Sequence, residues 1–191
     1  MSSNYIIVGG GTSASSFPFE LFPDFITVGC NDSALSLKTD ILVSADKNWV
    51  RHRQKEWESF SGEVVICIPE TEDKRFKIRL ARPRLSENPK YLHGHNTGYV
   101  ALNEVYQRKP KNILLVGFDF YTKDGRAHWH SGYTWGGNHR SGLYATWSGY
   151  FETTLNQLNQ AGIIVLNCNP KSKVDAFRKV EAHEARGCLR P

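Results

Sequence analysis

The sequence predicts an α/β fold: a Rossmann-like, open, mainly parallel twisted sheet flanked by helices on both faces. Three observations predict it. Apolar stretches of strand length recur along the chain, several of them are unbroken Ile/Val/Leu runs, and segments of helical spacing alternate with them. Unbroken runs belong to strands covered on both faces, because a strand with one wet face alternates apolar and polar side chains. Strand–helix alternation then gives a doubly wound sheet.

The first strand falls at 5–8, and the next two at 25–28 and 41–43. The remaining three fall at 64–68, 113–116 and 163–166. A helix at 49–57 follows the third strand. A second, at 97–106, carries Ala101, Leu102, Val105 and Tyr106 on one side. A third, at 145–160, places Phe151, Leu155 and Leu158 at helical spacing, with Gly162 as its stop. Residues 175–185 read as a final amphipathic helix. Two segments break the alternation: 69–95 is basic and turn-rich, and 121–144 is rich in Gly, His, Tyr and Trp. A long irregular segment in a compact domain is often a binding loop, so 121–144 is expected to act as a lid. With no repeat and no linker, 1–191 is read as one domain.

Bulk properties exclude several classes. With 40% hydrophobic and 23% charged residues, the chain has the composition of a globular protein, not a disordered one. No apolar run approaches the roughly 18 residues a bilayer requires. The start of the chain lacks the basic region of a signal peptide. The expectation is a cytoplasmic protein with no membrane partner. The net charge of +5 is mild. Its densest stretch, Lys74, Arg75, Lys77, Arg79, Arg82 and Arg84, is either a solvated edge or a contact surface for phosphates. Cys30, Cys67, Cys168 and Cys188 show no CxxC spacing, so structural zinc is not expected.

Candidate chemistry sits where strands end. Gly9-Gly10-Gly11-Thr12-Ser13 follows the first strand, where glycines let backbone N–H groups approach a phosphate and Thr12 and Ser13 add hydroxyls. The turn is not a full G-x-G-x-x-G and lacks the lysine of a P-loop. Asn31 follows the second strand and Asp46 the third, positions suited to ribose hydroxyls or base edges, with plain turn formation as the other use. His95-Asn96-Thr97-Gly98 opens a helix whose free N–H groups can receive an anion. Asp119 and Tyr121 follow the fifth strand. His139 lies beside Arg140 on a polar, Gly-rich loop, which suits a general base. His128 and His130 share a strand face with Asp119 upstream, but spacing supplies no third ligand and no metal is expected.

In this order the motifs resemble the bacterial sialyltransferases of the Campylobacter type and the related DUF115 (MptE-like) proteins, short phage-encoded members included. The resemblance spans roughly residues 5–170 and is most specific from Asn96 to Tyr121. It implies a CMP-sugar bound at the C-terminal edge of the sheet with no required metal or cofactor. Gly10, Gly11 and Ser13 would then approach the phosphate, Asn31 the nucleotide, and Thr97 and Gly98 the ligand at the helix start. Asp46 stands where the family has Asn, a departure that bears on cytidine recognition. Tyr133 and Tyr144 are the nearest counterparts of two tyrosines that assist phosphate departure, and His139 corresponds to the base. The implied activity is inverting glycosyl transfer from a nucleotide sugar to a glycan, a small molecule or a modified DNA base. Such a reaction needs a base for the acceptor proton and donors such as Arg140 for the leaving phosphate. The alternatives are an MptE-like pyrophosphokinase with Mg²⁺ on Asp46 and Asp119, and a nucleotide-binding module without catalysis.

Overall fold

The computed structural model describes residues 3–73, 75–122, 128–129 and 141–189. In chain order the elements are β1 (Asn4–Val8), β2 (Phe25–Cys30), α1 (Asp32–Leu37), β3 (Ile41–Ser44), α2 (Lys47–His52) and α3 (Gln54–Glu58). They continue with β4 (Glu63–Ile68), β5 (Lys77–Leu80), β6 (Tyr91–His93), α4 (Thr97–Gln107) and β7 (Asn112–Val116). The last are α5 (Ser141–Glu152), α6 (Leu155–Gln160), β8 (Ile164–Asn167), β9 (Arg178–Lys179) and α7 (Ala182–Ala185). Among the described residues nine strands form one sheet in the order β6-β5-β4-β3-β2-β1-β7-β8-β9. Every neighbouring pair is parallel. This is the open, wound α/β sheet expected from the sequence.

Side-chain alternation divides the core into two faces. Tyr5, Ile7, Val28, Val43, Ile113 and Leu115 point to one, where α4 brings Tyr99, Val100, Leu102 and Val105, with Phe151 and Leu158 beside them. Ile6, Val8, Leu114 and Val116 point to the other, against Ala14, Phe17 and Phe22 of the segment between β1 and β2. Farther along that face Leu42 and Ile66 meet Ala34, Trp49 and Trp57 of α1–α3. Burial on both faces explains why the central strands read as unbroken apolar runs.

Four features depart from expectation. The turn-rich segment 69–95 contains β5 and β6, which extend the parallel sheet. The predicted final helix instead contains β9, paired with β8, and only a short α7. Val174, Phe177 and Val180 are all buried, and this i, i+3 spacing suggests a helix although the chain between them bends and then pairs as β9. The helix predicted at 49–57 divides at Arg53, whose backbone (φ −108°, ψ 26°) is not helical. The helix predicted at 145–160 divides at Thr153 and Thr154, whose hydroxyls donate to the carbonyls of Tyr150 and Phe151, each at 2.7 Å. Such back-bonding offers the chain an alternative to the helical ladder.

An ion-pair network fixes α4 to the sheet. Glu104 is 3% exposed and accepts from both Lys77 of β5 and Arg108, which also pairs with Glu63 of β4. A carboxylate this buried is stable only with its cations in place. Arg108 in turn holds the Glu63 carboxyl below the usual carboxylate range. The thiols of Cys30 and Cys67 are buried, which pushes both up to about 12 and leaves them inert near neutral pH. Among the described residues no helix is long and apolar enough to cross a membrane.

Candidate functional site

β1 and β7 are central neighbours from which the strand order runs outward in opposite directions, toward β6 on one side and β9 on the other. In a wound parallel sheet the crevice for a ligand opens at the C-terminal ends of the strands, at this reversal. A cleft of about 330 Å³ lies there.

Its floor is the meeting of two turns. The Gly9 N–H donates to the Val116 carbonyl and the Gly11 N–H to the Gly117 carbonyl, each at 2.8 Å. A Cβ on Gly11 would lie 2.5 Å from Cγ of Asp119 and 2.6 Å from the Gly117 oxygen. Glycine is therefore required by the close approach of the two turns. Asp119, 1% exposed, clasps them together. Its carboxylate accepts from the Thr12 hydroxyl (3.1 Å), the Ser13 N–H (2.9 Å), the Ser13 hydroxyl and the Asn169 amide (2.7 Å). The Asn169 amide also reaches the Tyr121 hydroxyl at 3.4 Å.

The next wall is built where β2 and β3 end. Asn31 lines the cleft with φ 54° and ψ −127°, a conformation that favours glycine. Its amide makes a long contact, 3.5 Å, to the Thr97 hydroxyl, which also accepts from the Ala45 N–H at 3.3 Å. Backbone strain of this kind, about 1–3 kcal/mol, persists where surrounding structure enforces it, often at functional sites. Asn31→Gly should therefore unfold at the same temperature as the wild type or higher; a clear loss of thermal stability would refute the strain argument. Asp46 caps α2 by accepting from the N–H groups of Asn48 and Trp49 at 2.8 and 3.1 Å.

Opposite stands the N-terminus of α4. Asn96 caps it by accepting from the Tyr99 N–H at 2.9 Å, and Thr97 and Gly98 face the cleft. The first N–H groups of a helix, with its dipole, favour an anion. Arg79 of β5 and His95 complete this side. The His95 ring stacks on Tyr150 with centroids 3.9 Å apart. Burial, reinforced by the Arg79 charge, holds this imidazole below its ordinary pKa. Aromatic rings form the remaining wall: Phe120 packs on Tyr144 at 6.0 Å, and Tyr144 on Trp147 at 6.2 Å. Burial pushes the Tyr144 phenol up, and the charge of Asp119 adds to the rise.

Of the residues proposed from sequence, Gly11, Asn31, Asp46, Thr97, Gly98 and Tyr144 converge on the cleft. Gly10, Thr12, Ser13, Asp119 and Tyr121 do not line it. The Gly11 N–H and the Thr12 and Ser13 hydroxyls, expected to meet a phosphate, are instead bonded within the protein. Tyr133, His139 and Arg140, with most of the segment 121–144, lie outside the described residues. His128 lies in the cleft against Gly10, and Trp129 is tied to the same turn by a 3.0 Å bond to the Gly10 carbonyl. Among the described residues no three His, Cys, Asp or Glu side chains are grouped to hold a metal.

Sequence reasoning did not assign Phe120 or Trp147 to the site, and named Arg79 only within a basic stretch read as either a solvated edge or a contact surface for phosphates. Arg79 carried one usable signal, since alternation in Lys77-Ile78-Arg79-Leu80 puts both cations on one face of a strand.

The sheet is an open, wound, all-parallel α/β fold. It is similar to the structure of the sialyltransferase CstII from Campylobacter jejuni, determined in complex with the substrate analogue CMP-3FNeuAc. The TM-score is 0.50 at 13% sequence identity, over 94% of this chain and 86% of that one. No family model and no curated protein matches the chain.

Proposed function

We propose that the protein is a nucleotide-sugar-dependent glycosyltransferase acting on a CMP-sugar or a close relative. The observation that carries this reading is the convergence of the turns after β1, β2 and β3 with the N-terminus of α4 on one cleft at the reversal of strand order. The ligand's phosphate belongs at the start of α4, where helical N–H groups are unspent. Asn31 and Asp46 suit the hydroxyls and edge of a nucleoside, and the Phe120–Tyr144–Trp147 wall suits a flat ring or a sugar face. In the reaction His139 takes the acceptor proton as the acceptor oxygen attacks the anomeric carbon with inversion. The bond to phosphate breaks, and Tyr133, Tyr144 and Arg140 donate to the departing oxygen. The acceptor is a glycan, a small molecule or a modified base.

The pyrophosphokinase alternative is weaker on one specific ground. One of the two carboxylates it would give to Mg²⁺, Asp119, is engaged by Thr12, Ser13 and Asn169 in the clasp and does not line the cleft. A module that only binds nucleotide shares the cleft and differs in turnover. The deciding experiment is calorimetric titration of the chain with CMP, with and without EDTA. The expected result is binding that EDTA leaves unchanged; binding that requires Mg²⁺ would favour the kinase, and no binding of CMP or another nucleotide would overturn the reading.

A further inference from the structure

We propose that Arg79 is the anion-binding residue of the cleft, taking a phosphoryl or carboxylate group of the ligand beside the N-terminus of α4. This deepens, and rests on, the reading of the cleft as a nucleotide-sugar site. Arg79 lies on β5, two residues from Lys77, yet the two cations are treated differently. Lys77 is neutralised by Glu104. The other half-buried arginines meet carboxylates as well, Arg53 with Asp32 at 3.0 Å and Arg108 with Glu104 at 2.8 Å. Among the described residues Arg79 has no carboxylate within ion-pair distance; its one bond is from Nη1 to the Ala45 carbonyl, at 2.8 Å. A guanidinium has five N–H donors, so most of this one's capacity remains for a ligand.

The carbonyl bond fixes where the charge sits. Ala45 immediately follows β3, so Arg79 reaches across the end of β4 to the cleft wall. A fixed fork of donors matches the paired oxygens of phosphate or carboxylate. A partly desolvated cation without a counter-ion is costly, and a bound anion removes that cost.

His95 provides an independent reporter. Its ring is held by Tyr150, and the Arg79 charge already acts on it. The charged and titratable groups around it in the cleft are Arg79 from β5, Asp46 and Lys47 at the start of α2, His128, and Tyr144 and Tyr150 from α5. Neutralising Arg79 therefore raises the His95 titration midpoint, whether by substitution or by a bound anion.

The test is NMR titration of the His95 ring in the full chain, for the wild type, Arg79→Gln and Arg79→Lys. It is run alone and with CMP, cytidine, inorganic phosphate and N-acetylneuraminate. Arg79→Gln is expected to raise the midpoint in the free protein, and Arg79→Lys to leave it lower than the Gln variant. CMP at a concentration that just saturates the wild type should raise it there and raise it less in Arg79→Gln, where less is bound. CMP affinity should fall about tenfold or more in that variant, as loss of a charge-assisted contact implies, while cytidine affinity stays the same. A shift with phosphate assigns the subsite to the phosphoryl group, and one with N-acetylneuraminate to a sugar carboxylate. The proposal is overturned if none of the three anions moves the wild-type midpoint, or if Arg79→Gln binds CMP as tightly as the wild type. In the latter case the nucleotide reading survives. If phosphate shifts His95 but CMP binds no better than phosphate, the subsite stands and the nucleotide reading falls.

Discussion

Replacing Asp119 with asparagine should destabilise the protein by about 2–4 kcal/mol, a loss large enough to lower its melting temperature by roughly 5–15 °C. The magnitude follows from what surrounds the side chain. Donors from Thr12, Ser13 and Asn169 all point at one carboxylate that is 1% exposed. Asparagine would keep one acceptor oxygen and present an N–H₂ group to donors, leaving buried polar groups unsatisfied. The damage should extend to the cleft, because the same clasp holds the β1 and β7 turns together and its charge acts on Tyr144. Urea unfolding measures the loss. A variant as stable as the wild type would show that Asp119 is not the clasp and would return it to the list of ligand-facing residues.

His139→Ala should reduce turnover of a nucleotide-sugar donor by about 10²- to 10⁴-fold, the usual contribution of a positioned general base, while CMP affinity is retained. Loss of turnover with binding preserved separates a proton-transfer role from a structural one, which would reduce both. Donor turnover unchanged in His139→Ala would end the assignment. Attention would then pass to His95, a histidine that lies in the cleft with its ring held by Tyr150 and its proton affinity already lowered.

The parts of the fold legible in the sequence were those in which burial and local pattern agree. Ile6 to Val8 and Ile113 to Val116 are covered on both faces and read as strands without ambiguity. β5 was not legible because its four residues are all only half-buried and two are cations. β9 was hidden because its two residues are charged, and the apolar anchors flanking it share helical spacing. In the site, positions directly after strands were readable, since a wound sheet brings Gly11, Asn31 and Asp46 to one edge. What those positions do was less readable. Gly-Gly-Gly-Thr-Ser has the composition of a phosphate loop, but tertiary contacts redirect its donors to Gly117 and Asp119, more than a hundred residues away in the chain. Arg79 stayed hidden in a basic stretch because its role depends on lacking the partner that Lys77 has, and only packing reveals that.

The pairing of Tyr5 with Ile113 and of Val8 with Val116 also constrains how the molecule is made. On a ribosome adding 5–20 residues each second, β1 waits on the order of 10 s before its second neighbour emerges. Throughout that wait an apolar, hydrogen-bonding edge is bare. Pairings this distant along the chain are slow to form, so the nascent polypeptide should depend on chaperone shielding until β7 arrives, and fragments ending before Asn112 should aggregate.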